Sequence, residues 1–79
     1  MYKTSAIQMT ELGKFLARRS VNKSDLSRKT GITQNRINNL TLNEGTHLRG
    51  DELYLISLAL QIDVREVIQQ VYKDVRLVE

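Results

Sequence analysis

The stretch Lys23–Leu40, KSDLSRKTGITQNRINNL, decides the fold. It reads as two short helices around one tight turn. Leu26 and Thr30 lie four residues apart, on one helical face. Gly31 then ends the first helix, because glycine takes the positive φ of a C-terminal cap without a side-chain clash. Ile32 follows as an apolar plug. Thr33 is placed as an N-cap, its hydroxyl able to accept from a free backbone N–H. Ile37 and Leu40 resume the helical spacing. Asn22, with Asp25 three positions on, resembles a capping box for the first helix of the pair.

The outer face of the second helix is chemically unusual. With Ile37 pointing inward at about 100° per residue, Asn35 and Asn39 point away from the core, and Arg36 and Asn38 flank them. Gln34 lies in the first turn. Asn and Gln side chains pair bidentately with adenine N6/N7, and Arg with guanine O6/N7. A plain solvated face is the alternative. Such faces normally carry Lys and Glu, which form helices better than Asn does. Three Asn on one short helix cost stability, which points to another use. The expected base-contacting set is Gln34, Asn35, Arg36, Asn38 and Asn39. Lys23 and Ser24 at the start of the first helix suit an anion through the helix dipole and free N–H groups. Thr33 does the same for the second helix, and Arg49 is a further expected phosphate contact.

This segment resembles the helix-turn-helix of the phage repressor and Cro family, the XRE-type regulators. Leu26, Ser27, Gly31, Ile32, Ile37 and Leu40 occupy the family's aliphatic, small, glycine and aliphatic positions. Gln34 falls where the family very often has Gln. Further along, Ile56-Ser57-Leu58-Ala59-Leu60-Gln61-Ile62-Asp63 is similar to the fourth-helix pattern Ile-Ala-x-Ala-Leu-Gly-Val-Asp. The resemblance covers roughly residues 9–71. It implies an all-α, five-helix repressor-like domain with residues about 34–42 in the DNA major groove. It also implies a sequence-specific transcriptional regulator that binds double-stranded DNA as a homodimer, in the cytoplasm of a prokaryote or the host of a phage or mobile element. Three departures stand out. Ser27 replaces the usual Ala. Leu16 and Thr41 stand where the family often pairs an Arg with a Glu, so that ion pair is expected to be missing. The link from Thr41 to Gly50 is longer than usual, and Leu42 either projects toward the DNA side or marks the helix end.

Composition agrees. Seventy-nine residues leave room for one domain, 1–79, with a modest core. There is no proline and no cysteine, hence no disulfide framework and no thiolate metal site. No stretch approaches the roughly 20 apolar residues of a membrane span, and the N-terminus lacks a signal-peptide layout. Charge is uneven. Residues 1–50 hold nine Lys or Arg against three Asp or Glu, and residues 51–79 hold three against six, giving +6 and −3. A basic half around a reading helix is the electrostatic footprint expected of a DNA-binding protein.

The remaining organisation is coarse. Residues 1–6 read as a loose arm. Helix 1 is expected from near Gln8 to Arg19, with Met9, Leu12, Phe15 and Leu16 inward. Helix 4 is expected to start at Asp51 as its cap, with Glu52 near its positive end. Helix 5 is expected to start at Asp63, with Glu66 completing a capping box, and to bury Val64, Val67, Ile68 and Val71. The tail, residues 74–79, reads either as an extension of helix 5 or as a short strand. On helix 4, Tyr54 and Leu58 face away from the core and Leu55 lies on the flank. A helix apolar all round is normally covered on both sides. The cover is either the chain's own tail or, as the resemblance implies, a second subunit docked on Tyr54, Leu55 and Leu58.

An enzyme reading finds little support. His47 is the sole histidine and lies in a polar link. No glycine-rich phosphate loop is present, and Ser20, Ser24 and Ser27 have no evident base. No cofactor or metal is expected. The stronger rival is a small helical protein-interaction module, or an antitoxin-like regulator that binds a protein partner as well as DNA.

Overall fold

The computed structural model describes residues 9–78. The expected N-terminal arm, residues 1–6, lies outside them. Five helices follow in order: α1 (Glu11–Arg18), α2 (Lys23–Thr30), α3 (Gln34–Leu42), α4 (Gly50–Leu60) and α5 (Val64–Val71). No strand occurs among the described residues, so the fold is all-helical.

Local chemistry sets the boundaries. The Asn22 side chain caps α2 by accepting from the Asp25 N–H, and Thr33 caps α3 by accepting from the Arg36 N–H. Gly31 closes α2 in the left-handed region, at φ 81°. Side chains staple the turn between these helices. The Thr30 hydroxyl donates to the Leu26 carbonyl at 2.8 Å and accepts from the Ile32 N–H at 3.1 Å. The Ser27 hydroxyl donates to the Ile32 carbonyl at 2.6 Å. Serine in the small-residue position thus gives the turn a bond that alanine lacks.

Several boundaries differ from expectation. α1 begins at Glu11, not near Gln8, because Thr10 takes the cap and accepts from the Gly13 N–H. Met9 is therefore exposed rather than part of the inner stripe. α4 is capped at Arg49, one residue before its first helical position, and not at Asp51. The Glu52 carboxylate satisfies the free Arg49 N–H at 3.0 Å. Asp63 caps α5 as expected, but Glu66 does not complete a capping box and pairs with Arg19 of the α1 C-cap instead. Ile68 is exposed, leaving Val67 as the fully buried residue of α5. Among its described residues the tail neither prolongs α5 nor forms a strand: the helix ends at Val71, and residues 75–78 have no regular structure.

The core comprises Leu12, Phe15, Leu16, Leu26, Ile32, Ile37, Leu40, Ile56 and Val67. Leu48 from the long link packs against it. Each helix packs on two others, and the contacts close into a ring, α1–α3–α2–α4–α5–α1. α3 and α4 sit on opposite sides of α2 in that ring and have no Cα atoms within 8 Å of each other.

One seam fixes the carboxyl end of α3. The Thr10 hydroxyl donates to the Leu40 carbonyl at 2.7 Å, and the Thr10 N–H donates to the Thr41 carbonyl at 2.9 Å. Gly13 permits this approach, since a Cβ there would lie 2.3 Å from the Thr41 carbonyl oxygen. Leu16 and Thr41 are both buried. The Thr41 hydroxyl is satisfied within α3 by the Ile37 carbonyl at 2.9 Å. Neither side chain carries charge, and hydrogen bonds with close backbone packing hold this seam.

At the end of α4, Gln61 occupies the left-handed cap, at φ 58°, where the resemblance has Gly. A side chain in that region costs about 1–2 kcal/mol relative to a right-handed conformation.

Candidate nucleic-acid interface

α3 buries Ile37, Leu40 and Thr41, and this choice dictates what remains outside. Gln34, Asn35, Asn38 and Asn39 are all exposed and share the outer face, with Leu42 at its far end. α3 runs through Leu42, so that side chain projects from the last helical position. The structure thus brings four of the five expected base-contacting side chains onto one solvent-facing strip.

Arg36 is placed differently. Its guanidinium turns toward α4 and grips Glu52 with two parallel bonds, Nε to Oε2 at 2.8 Å and Nη2 to Oε1 at 2.9 Å. Nη2 also donates to the His47 carbonyl at 2.9 Å. Glu52 is only 8% exposed, and Oε1 accepts the Arg49 N–H as well. The bond to Arg36 holds the Glu52 carboxyl below the ordinary glutamate range, and the backbone bond from Arg49 adds to this against the opposing effect of burial. The same bond raises Arg36 above the ordinary guanidinium value. Fork-to-fork pairs of this kind fix orientation as well as adding energy. No local pattern marks the pair, because the partners are sixteen residues apart and Glu52 also fits as an acid at a helix start.

The expected phosphate contacts surround this strip. Lys23, the first residue of α2, donates from Nζ to the Asn38 side-chain oxygen at 3.2 Å, so α2's amino end borders the outer face of α3. Ser24 is exposed beside it. Thr33, Arg36, Arg49 and Leu55 line one open depression at the amino end of α3. Arg49 there also pairs with Asp51 at 3.2 Å, and both side chains are largely exposed. Other cations have protein partners elsewhere. Arg19 lies 4.7 Å over the Phe15 ring and pairs with Glu66, while Arg18 reaches Gln70, so these two serve the α1–α5 seam. Asp25 is held below the ordinary aspartate range by Arg28 and then Lys29.

The outer side of α4 is apolar and uncovered among the described residues. Tyr54 is 57% and Leu58 54% exposed, and Leu55 is half-buried. The tail does not pack over them, since Val75, Leu77 and Val78 are themselves exposed. His47 is exposed in the link, where its carbonyl rather than its ring is used. No helix is long and apolar enough to cross a membrane among the described residues.

Comparison with known proteins agrees with this geometry. No match was found among curated proteins or solved structures. The family model for the Cro/C1-type HTH DNA-binding domain matches residues 11–71, from the first residue of α1 to the last of α5. With that match spanning every helix described above, the chain belongs to the Cro/C1-type helix-turn-helix DNA-binding domain family.

Proposed function

We propose that this protein is a sequence-specific transcriptional regulator that lays α3 in the major groove of double-stranded DNA. The observation that carries the reading is the amide strip. Gln34, Asn35, Asn38 and Asn39 are exposed together on a helix whose opposite side is fully committed to the core. Amides in that arrangement match adenine edges. Lys23 and Ser24 at the start of α2 and Thr33 at the start of α3 supply phosphate contacts through side chains and free backbone N–H groups. Arg49 closes on a neighbouring phosphate from the link. Phosphate contacts set register on the duplex, and base contacts set specificity.

The protein acts as a homodimer in this reading, with Tyr54, Leu55 and Leu58 as the contact surface. The exposure of Tyr54 and Leu58, with half-buried Leu55 beside them, supports it, because contiguous apolar patches are usually covered on a soluble protein. A two-fold pair places two recognition helices about 34 Å apart, one turn of duplex. The family assignment favours a binding protein without catalytic activity, working inside the cell on DNA. The rival reading, a protein-interaction module in which α3 is merely solvated, is favoured only by the same apolar surface on α4.

A salt series separates the two. The logarithm of the affinity for a labelled duplex should fall linearly with the logarithm of salt concentration, by about 0.9 per phosphate neutralised. A salt-insensitive or undetectable interaction with DNA would refute the DNA-binding reading.

A further inference from the structure

α3 carries one ionisable side chain in its nine residues, QNRINNLTL, and that side chain is Arg36. It is also the one member of the expected base-contacting set that the fold engages with a buried partner. Two of its three guanidinium nitrogens are spent on the protein: Nε on Glu52, Nη2 on Glu52 and on the His47 carbonyl. Glu52 in turn uses both carboxylate oxygens, one of them shared with the Arg49 N–H. The carboxylate is therefore fixed from two sides, and it is almost excluded from solvent. The bridge joins two helices that make no backbone approach to one another.

A free arginine in the first turn of a recognition helix is attracted to any phosphate within reach, whatever the sequence. Such attraction raises affinity for all DNA and lowers the ratio between right and wrong sites. A buried carboxylate bound bidentately to that arginine removes its net charge from the surface and holds its planar fork in one orientation. From this geometry we infer that Glu52 is a positioning and specificity-determining residue. It withholds Arg36 from the DNA, so that α3 meets the bases with uncharged amides and adds no sequence-blind attraction of its own. The inference rests on the DNA-binding reading above and deepens it. It assigns to an α4 residue, outside the expected contact set, control over what α3 presents.

The test uses the full chain and four proteins: parent, Glu52→Gln, Arg36→Gln and the double variant. Each is titrated against a selected duplex and a random duplex across a salt series, with thermal melting as the folding control. Glutamine keeps the size of Glu52 and an oxygen for the Arg49 N–H, but it loses the charge that restrains Arg36. Glu52→Gln is expected to steepen the salt slope by about 0.9, the value for one added phosphate. It is also expected to bind random DNA more tightly and to discriminate less. Arg36→Gln alone should leave the slope of the parent unchanged, and the double variant should return to it. A purely structural role for Glu52 would lower the melting temperature and weaken binding without steepening the slope. An unchanged slope in a folded Glu52→Gln protein would overturn the inference. So would a slope about one unit shallower in Arg36→Gln, which decides the matter even if Glu52→Gln fails to fold. Loss of both this inference and the DNA-binding reading would follow if the parent itself bound neither duplex. A steep parental slope that the variants leave untouched would sink the inference alone.

Discussion

Gly13→Ala tests the seam that aims α3. An added Cβ would sit 2.3 Å from the Thr41 carbonyl oxygen and 3.1 Å from the Met9 Cβ. The first neighbour is backbone and has no rotamer to escape into. Restoring ordinary contact requires the helices to part by about 1 Å. Overpacking of this kind costs about 1–3 kcal/mol. The two Thr10 bonds to the Leu40 and Thr41 carbonyls stretch at the same time, and each contributes about 1 kcal/mol when well formed. Against this, alanine gains about 1 kcal/mol over glycine as a helix former. The balance is a destabilisation of about 2 kcal/mol, or roughly 8–16 °C in melting temperature for a domain of this size. Urea and thermal unfolding followed by circular dichroism measure it. Gly50→Ala is the control, since a Cβ there meets nothing within 4 Å and α4 should gain from alanine. A Gly13→Ala protein as stable as the parent would refute the argument, because propensity would then outweigh the close approach.

Three further outcomes are expected. Lys23→Ala should weaken binding to all sequences alike and flatten the salt slope by about one unit, whereas a sequence-selective loss would mean that Lys23 reads bases. Leu58→Asp should give a folded monomer with much weaker operator binding. Light scattering at several concentrations checks it, and a parent that is monomeric at high micromolar concentration without DNA would restrict pairing to the DNA-bound state. Gln61→Gly should stabilise the fold by about 0.5–1 kcal/mol in urea denaturation, the relief of left-handed strain less the added freedom of the unfolded chain; no gain would mean that the cap is unstrained.

What was legible in the sequence was local. The α2–α3 turn could be read because Gly31, Asn22 and Thr33 act on backbone groups within a few residues of themselves. The outer strip of α3 followed from the inward positions of Ile37 and Leu40. The illegible features join distant parts of the chain. Thr10 and Gly13 matter through Leu40 and Thr41, about thirty residues on, and a glycine inside an apolar helical pattern was the one available hint of close approach. Arg36 shared a helix with exposed amides and read as one of them. Its partner lies across the long link, sixteen residues on, where Glu52 also fits as an acid at a helix start. Met9 and Ile68 misled because helical periodicity places a residue on a face but cannot say where the face meets solvent. Glu66 had a local reading as a capping acid and was drawn away by Arg19.

Selection of bound sequences from random duplex DNA tests the central claim most directly, run in parallel on the parent, Gln34→Ala and Asn35→Ala. The account predicts an enriched, two-fold motif for the parent. Each variant should lose preference at one position per half-site, at a cost of about 1–3 kcal/mol on the parental motif. No enriched motif, or the same motif at full preference with both variants, would contradict base readout by α3.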